Sequence, residues 1–435
     1  MSRYVNKTPL RVGIAGLGTV GAGVVRLLAE NAAIIAARAG REITVTAVSA
    51  RSRSLDRGVS LEGLTWHDDP LELAADPQVD VVVELIGGSD GPAKILAERA
   101  LAAGRPVVTA NKALLAIHGT ELAKIAETAQ VPLAFEAAVA GAIPVIKTLR
   151  EGLAANRIDR VAGILNGTCN YILTTMREEG RDFADVLADA QALGYAEADP
   201  AFDIDGVDAA HKLAILAALA FGQKVDFAAV HVEGIRRISA LDISFAEELG
   251  YRIKLLGIAQ RTADGISMRV HPTMVPVEKL LAAVDGVYNA VLIEGNFSGT
   301  VFLQGRGAGS GPTASAVVAD LIDIARGTHL PVWGAAQSQL APEQTLPISR
   351  HHGAYFLRLM VVDQPGVLAD VTAILRDHGI SLESMLQRGR KPGEAVPIVL
   401  VTHETSEAAI AAALAPIAAL DAVLEAPALI RIEPK

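Results

Sequence analysis

A single cysteine, Cys169, in 435 residues excludes an internal disulfide and any zinc cluster built on cysteine. It fits a reducing cytoplasm. Positive charge is scarce as well: 39 Lys and Arg stand against 49 Asp and Glu, a net charge of −10 with a pI near 5.5. An acidic surface argues against phosphate-backbone binding, so no nucleic acid is expected as a partner. No apolar run reaches the roughly 18 residues that a membrane-crossing helix needs, so no membrane is expected either. Arg3, Lys7 and Arg11 precede an apolar stretch, as in a secretory leader. However, Gly13, Gly16, Gly18, Gly21 and Gly23 break that stretch, and no A-x-A cleavage site follows. The ten histidines include no H-x-x-x-H spacing, and neither solenoid repeats nor low-complexity tracts are present beyond a general richness in alanine.

What the chain does have is apolar material. Hydrophobic residues make up 51% and charged residues 20%, enough for buried cores in two or three domains of about 150 residues each. Over the first third, short apolar runs alternate with helical patterns. Strands are predicted at Leu10–Ala15, Ile43–Ser49, Val79–Ile86, Val107–Thr109 and Leu133–Phe135, with the first helix at Val20–Ala37. That alternation predicts an α/β unit with a parallel, doubly wound sheet. A strand over Arg157–Leu165 then opens a helix-rich block that includes a helical segment at Asp208–Phe221. Strands return between Ile253 and Phe302, and glycine-rich turns lead to a helix at Thr313–Arg326. Proline and polar residues mark a connector from Thr328 to Gly353. The last 80 or so residues read strand, helix, strand, strand, helix, strand, with strands at Tyr355–Val362, Ile380–Arg388, Ala395–Thr402 and Ala422–Ile432. The expected units are 1–145, with a helix returning to it at about 312–340; 146–311; a linker at 341–352; and 353–435.

Gly16-Leu17-Gly18-Thr19-Val20-Gly21 fits G-x-G-x-x-G between the first strand and its helix. The first glycine serves a tight turn, the second lets backbone N–H groups approach a pyrophosphate, and the third allows close helix–strand packing. The helix N-terminus adds a favourable field for phosphate. A Rossmann-type nucleotide domain is therefore expected. NAD-selective sites carry an acid at the tip of the second strand, but here the chain reads Ser49-Ala50-Arg51-Ser52-Arg53. Arg51 and Arg53 are either receivers of a 2′-phosphate, favouring NADP over NAD, or two solvated arginines.

Lys112 follows the strand that ends in Thr109, at the carboxyl edge where open α/β sheets bind ligands. By itself, a lysine there is more often solvated than functional, and the same holds for Glu136. Glu197, Asp199, Asp203, Asp205, Asp208 and Lys212 cluster in sequence. Asp208 and Lys212, four apart, share one helix face, as an ordinary surface pair would. The apolar run Leu213–Phe221 instead suggests a buried helix, where such a pair would have the shifted pKa that proton transfer needs.

These motifs resemble the homoserine dehydrogenase family. The resemblance rests on the glycine loop, Thr109-Ala110-Asn111-Lys112, Ile164-Leu165-Asn166-Gly167-Thr168-Cys169-Asn170-Tyr171, Gly194-Tyr195-Ala196-Glu197-Ala198-Asp199-Pro200, Asp205-Gly206-x-Asp208-x-x-x-Lys212 and Gly307-Ala308-Gly309-x-Gly311-Pro312-Thr313. It runs over essentially the whole chain. It implies reversible, nicotinamide-dependent interconversion of L-homoserine and L-aspartate 4-semialdehyde in threonine, methionine and isoleucine biosynthesis. It further implies Lys212 as proton donor, oriented by Asp208, with Lys112 beside nicotinamide and substrate as a second acid–base candidate. Glu197 would hold the substrate amino group. Gly16 to Gly21, Thr109, Lys112, Gly194 and Gly309 would line the cofactor. Glu136 with Val139, Gly141 and Ile143 would bind a monovalent cation such as sodium, for which oxygen-only ligands are suited. Cys169 is expected to be buried and inert.

Val362-Asp363-Gln364-Pro365-Gly366-Val367-Leu368 and the strand after Gly379 resemble an ACT domain in βαββαβ order, so the third unit is expected to sense an effector. The family implies L-threonine, and the alternative is a module that only promotes dimerisation. The nucleotide fold starts at once, so no fused kinase is expected. Paired ACT modules imply a homodimer or homotetramer. A phosphoglycerate dehydrogenase type would want a His–acid pair, and an aspartate-semialdehyde dehydrogenase would want a nucleophilic cysteine. A non-catalytic sensor would have no use for the two lysines.

Overall fold

In the computed structural model, which describes residues 8–340, 344–388 and 392–434, the alternation of the first third closes into one parallel sheet. Arg3, Lys7 and Pro342 lie outside the described residues. Strand β1 (Leu10–Ala15) leads to α1 (Thr19–Glu30), α2 (Ala32–Ala39), β2 (Ile43–Ser49), β3 (Thr65–His67), β4 (Val81–Glu84), α3 (Pro92–Ala102), β5 (Val107–Thr109), α4 (Lys112–Ala129) and β6 (Leu133–Ala134). The order β3-β2-β1-β4-β5-β6 is parallel throughout, a doubly wound sheet with its switch point between β1 and β4. Every residue of β4 is buried, because helices cover both faces. The single helix expected over Val20–Ala37 is two, bent by 83° at Asn31. The Asn31 N–H closes α1 on Leu27 O while its own backbone (φ −106°, ψ 17°) leaves the helical region, in keeping with asparagine's modest helix propensity. This pair has the length and composition of a broken span, but its apolar residues Val24, Leu28 and Ile35 pack with the strands. No single helix among the described residues is long and apolar enough to cross a membrane.

The second block runs α5 (Val145–Lys147), β7 (Ile158–Ile164), α6 (Gly167–Glu179), α7 (Phe183–Ala192), α8 (Ala201–Ile204), α9 (Val207–Phe221), β8 (His231–Val232), α10 (Ala240–Glu248), β9 (Tyr251–Thr262), β10 (Gly265–Pro276), β11 (Tyr288–Gly295), β12 (Gly299–Arg306) and α11 (Ser310–Arg326). Helix α9 is apolar nearly all round and accordingly buried, packed on β7, β9 and β10. Helix α11 returns to α1. Ser310 Oγ donates to Thr19 O at 2.9 Å, and a Cβ on Gly23 would sit 2.6 Å from that hydroxyl oxygen. The glycine there is what lets the two helices touch. The returning helix stops at Arg326, capped by left-handed Gly327 (φ 84°), rather than running on to 340. The stretch read as a linker is packed over much of its described part. Trp333 is buried, with its ring 5.1 Å from Phe135, and β13 (Thr345–Leu346) pairs with Ile266 and Ser267.

The last block is β14 (His352–Val362), α12 (Val367–Asp377), β15 (Leu382–Gln387), β16 (Ala395–Thr402), β17 (Thr405–Ser406), α13 (Glu407–Ala418) and β18 (Ala428–Ile432), with strand order β18-β14-β16-β15. The final strand starts later than expected, since the chain before Pro427 keeps only the single bridge Val361–Val423. Strand β18 also pairs with β10, through Thr273–Arg431 and Met274–Ile432, so the second and third sheets are one. Buried and half-buried ion pairs cross this seam. Arg358 Nε lies 2.6 Å from Asp242 Oδ1, Arg431 binds Glu233 at 2.8 Å, and Arg160 binds Glu433.

Candidate active site

The three glycines of the first loop meet three different surroundings. Gly16 has φ +98°, and a Cβ there would lie 2.4 Å from Leu85 O. A Cβ on Gly21 would lie 2.0 Å from Gly16 O, whereas Gly18 has nothing within 4 Å of that position. The turn is therefore fixed at Gly16, the packing at Gly21, and Gly18 opens outward. Neither α1 nor α11 has a side-chain N-cap, and the Ser310–Thr19 contact brings the two helix N-termini together, the kind of end that suits an anion. These surroundings fit a dinucleotide pyrophosphate. Leu17 is buried below the loop. At the tip of β2, Arg51 is exposed. Arg53 stacks over Trp66 at 5.5 Å and approaches Asp68 at 3.4 Å. Arg57, not singled out from sequence, donates from Nε to Leu17 O at 3.0 Å and covers the same Trp66 ring.

Lys112 is placed by a chain of hydrogen bonds from the sheet. Glu84, fully buried at the end of β4, accepts the backbone N–H groups of Ile86 (2.8 Å) and Gly87 (3.2 Å) and the Thr109 hydroxyl (2.6 Å). Thr109 Oγ1 in turn accepts the Asn111 N–H at 3.0 Å. The Asn111 side chain caps α4 at Leu114 N and donates to Gly88 O. Lys112, the first residue of α4, extends over Phe202 (5.7 Å to the ring) and brings Nζ to 3.1 Å from Asp208 Oδ1. The other oxygen of Asp208 is 2.7 Å from Lys212 Nζ, which also donates to Leu165 O at 2.7 Å. Asn166 Nδ2 completes the cluster, donating to Asp208 Oδ2 at 2.8 Å and Asp203 Oδ1 at 2.9 Å.

The alternatives of a solvated Lys112 and a surface Asp208–Lys212 pair are thus corrected. Asp208 and Lys212 are only 3% and 9% exposed, because α9 is sheathed by the sheet. Burial pushes the Asp208 carboxyl up, but Lys212, Lys112 and Asn166 overcome this and hold it well below the usual carboxylate range. Burial and the Asp208 charge raise Asp203. Cys169 is buried, and burial together with the nearby acids raises its thiol far above its ordinary value. It donates to Asp203 O at 3.2 Å and offers no thiolate nucleophile. Glu197 is exposed in the turn after Gly194, and its backbone carbonyl accepts from Gln191. Among the described residues, no hydrogen bond or ion pair joins the Glu197 carboxylate to the lysines. Asn166 and Asp203 were missed as site residues. The N-cap position of Asn166 on α6 was the available signal.

Glu136 is buried as well, not solvated. Its two oxygens accept Ile146 N and Lys147 N at 2.9 Å each, while its own N–H donates to Asp320. Burial and the Asp320 charge lift it to about 7, and burial lifts Asp320 to about 6. Ala140 and Gly141 turn the chain through positive φ (57° and 51°) between Val139 and Ile143. Among the described residues, no three His, Cys, Asp or Glu side chains form a metal-holding group. Lys147 Nζ, 3.5 Å from Asp320, offsets part of this negative charge, and a carboxylate with backbone carbonyls is the type of ligand that a hard cation takes.

The comparisons with known proteins agree with this arrangement. The homoserine dehydrogenase profile matches residues 144–322, the homoserine dehydrogenase NAD-binding domain residues 16–136, and the ACT domain residues 355–421. Homoserine dehydrogenase of Neisseria gonorrhoeae is 48% identical over 431 residues, covering 98% of this chain and 99% of that protein. A crystal structure of a homoserine dehydrogenase from Thiobacillus denitrificans superposes with a TM-score of 0.92 at 50% identity, covering 98% of both chains. A hyperthermophilic archaeal homoserine dehydrogenase in complex with NADPH has a TM-score of 0.62 at 28% identity, covering 73% of this chain and 97% of that one. With a dinucleotide loop, a buried lysine–carboxylate cluster at the sheet's carboxyl edge and this match along nearly its full length, the chain belongs to the homoserine dehydrogenase family, oxidoreductases that act on a CH-OH group with NAD(P).

Proposed function

We propose that Lys212 is the proton donor of this reaction and that Asp208 sets its geometry. The observation that carries this reading is the Asp208 carboxylate bridging two ammonium groups, 2.7 Å from Lys212 and 3.1 Å from Lys112. Two acceptors fix Lys212, and its remaining N–H is free to meet an aldehyde oxygen. A bound nicotinamide cofactor supplies the hydride to the aldehyde carbon. As alkoxide charge grows on the oxygen, the Lys212 ammonium stabilises it and passes it a proton. Lys112, with a side chain 35% exposed, restores the proton from solvent. Asp208, held ionised by its neighbours, keeps both amines in place. Asp203 and Glu197 lie on the segments flanking this cluster, and we assign Glu197 to the substrate amino group.

NADP is the cofactor we assign, with Arg51 at the tip of β2 and Arg53 beside it on the 2′-phosphate and the glycine loop, Gly194 and Gly309 around the rest. A sodium-like cation on Glu136, Val139, Gly141 and Ile143 is structural in this reading. L-threonine is the assigned effector of the ACT unit, and the assembly is a cytoplasmic homodimer or homotetramer. The functional units follow the division at about 145, 311 and 353.

Oxidation of NADPH and NADH at 340 nm with L-aspartate 4-semialdehyde, with and without threonine, tests the whole assignment. Lys212→Ala and Asp208→Asn are expected to lower kcat by about 10²–10⁴-fold, with less effect on the KM for NADPH. Full activity in Lys212→Ala would transfer the proton to Lys112. Faster turnover with NADH would remove the arginines from the cofactor assignment.

A further inference from the structure

A cavity of about 870 Å³ lies away from the lysine cluster. It lies on the seam where the second sheet meets the ACT sheet. Its wall includes Ser267, Arg269 and Thr273 of β10, His351 of the connector, and His403 and Arg431 of the last block. The segment 363–366 ahead of α12, where an ACT effector is expected, takes no part in it.

One side chain in this wall is out of balance. Arg160, Arg350 and Arg431 each have carboxylate partners: Glu294 and Glu433, Asp264, and Glu233 and Glu407. Arg269 has none within 4 Å among the described residues, although it is only 5% exposed. Its single hydrogen bond runs from Nη1 to Ser267 Oγ at 2.8 Å, and its Nε has no partner. Two residues along the same strand face, His271 Nε2 is also unpartnered, while Nδ1 is engaged by Thr273 Oγ1 and Pro272 O. A buried guanidinium without a counter-charge is costly. Here burial outweighs the charge of Glu433, which lies beyond contact distance, and with Arg160 and Arg431 brings the pKa down to about 10. An anion in the adjoining cavity would reverse that cost, and a planar carboxylate fits the guanidinium fork best.

We propose that this seam cavity binds a small carboxylate through Arg269, at a site separate from both the lysine cluster and the loop before α12. The ligand would touch β10, the connector and the ACT unit together. Gly234, just beyond β8, packs directly on Ile204 and Asp205, close before Asp208, and β8 pairs with β10 at Arg269 itself.

Succinate is the probe, added to the full-length protein against sodium chloride at equal ionic strength, with thermal unfolding as the readout. A saturable rise in Tm of about 1–2 °C at roughly ten times Kd is expected. In Arg269→Met that rise should disappear, and the unliganded variant should melt no lower than the parent, since the uncompensated charge is gone. Ala354→Leu narrows the cavity while leaving Arg269 in place, and should weaken the same response several-fold. No rise with succinate, or a rise that survives both variants, overturns the proposal. A change of oligomeric state in Arg269→Met also overturns it, by assigning the counter-charge to a second copy of the chain. None of these readouts depends on dehydrogenase turnover.

Discussion

At the scale of single residues, the site depends on groups that no motif advertises. Glu84 satisfies three donors at the end of β4 and so holds the turn on which Asn111 and Lys112 are built. Glu84→Ala leaves those donors unpaired and should cost about 3 kcal/mol. Glu84→Gln should recover most of the stability but still lower kcat, as unfolding and steady-state kinetics would show. A different acid fixes a pH limit. Burial would raise Asp285, yet hydrogen bonds from Arg177 and Lys254 bring it down to about 2. A carboxyl depressed from about 3.9 stabilises the fold above that value, and the contribution is lost as pH falls towards 2. Asp285→Asn should therefore melt lower than the parent at pH 7, with the gap closing between pH 4 and pH 2 in thermal scans. Lys112, Asp208 and Lys212 were legible as candidates because their chemistry shows in their type and spacing. The Asn166 bridge was not, since it joins positions 37 and 42 residues apart that only the fold brings together, at the start of α6, on α8 and in the first turn of α9.

At the scale of elements, the glycine loop separates two functions that one motif appears to merge. Gly21→Ala places a methyl 2.0 Å from a backbone oxygen and should lower Tm by several degrees. Gly18→Ala meets nothing, so Tm should hold while the KM for NADPH rises. Measuring both variants for melting and for cofactor KM checks the division. Strands such as β1, β2 and β5 were legible to within a residue because apolar β-branched runs between turn residues have few alternatives. The bend at Asn31 was less so, because Val20–Ala37 is apolar enough to read as one helix and only packing against the sheet selects two. Strand β10 misleads in another way. Ser267, Arg269, His271 and Thr273 alternate with apolar residues as on a solvated face, yet that face is closed over by the seam.

At the scale of the whole molecule, the homoserine dehydrogenase block and the ACT unit share one sheet. The order of elements and the ACT pattern could be read from sequence, whereas the pairing of β10 with β18 could not. It joins residues far apart in the chain over only two positions, which leaves no pattern of its own. Buried charge reinforces the join. Asp242→Asn would leave the Arg358 guanidinium with its buried partner removed, at a cost of about 3–5 kcal/mol. The expected outcome is that the single calorimetric transition divides into two, with the ACT unit unfolding first. A single transition at the parent's Tm would show that the backbone pairing alone holds the units together.

The contact between α1 and α11 has a consequence for biosynthesis. Ser310 meets Thr19 across 291 positions of sequence, so the domain that holds α1 cannot be completed until α11, which ends at Arg326, has been made. At about 5–20 residues per second that interval is on the order of tens of seconds. Throughout it, the apolar side of α1 that α11 covers, with Val24 and Leu28, waits for its neighbour. The nascent chain is therefore a natural client for chaperones, and chains halted before residue 310 should be recovered bound to them, with cofactor binding appearing only in chains that extend past residue 326.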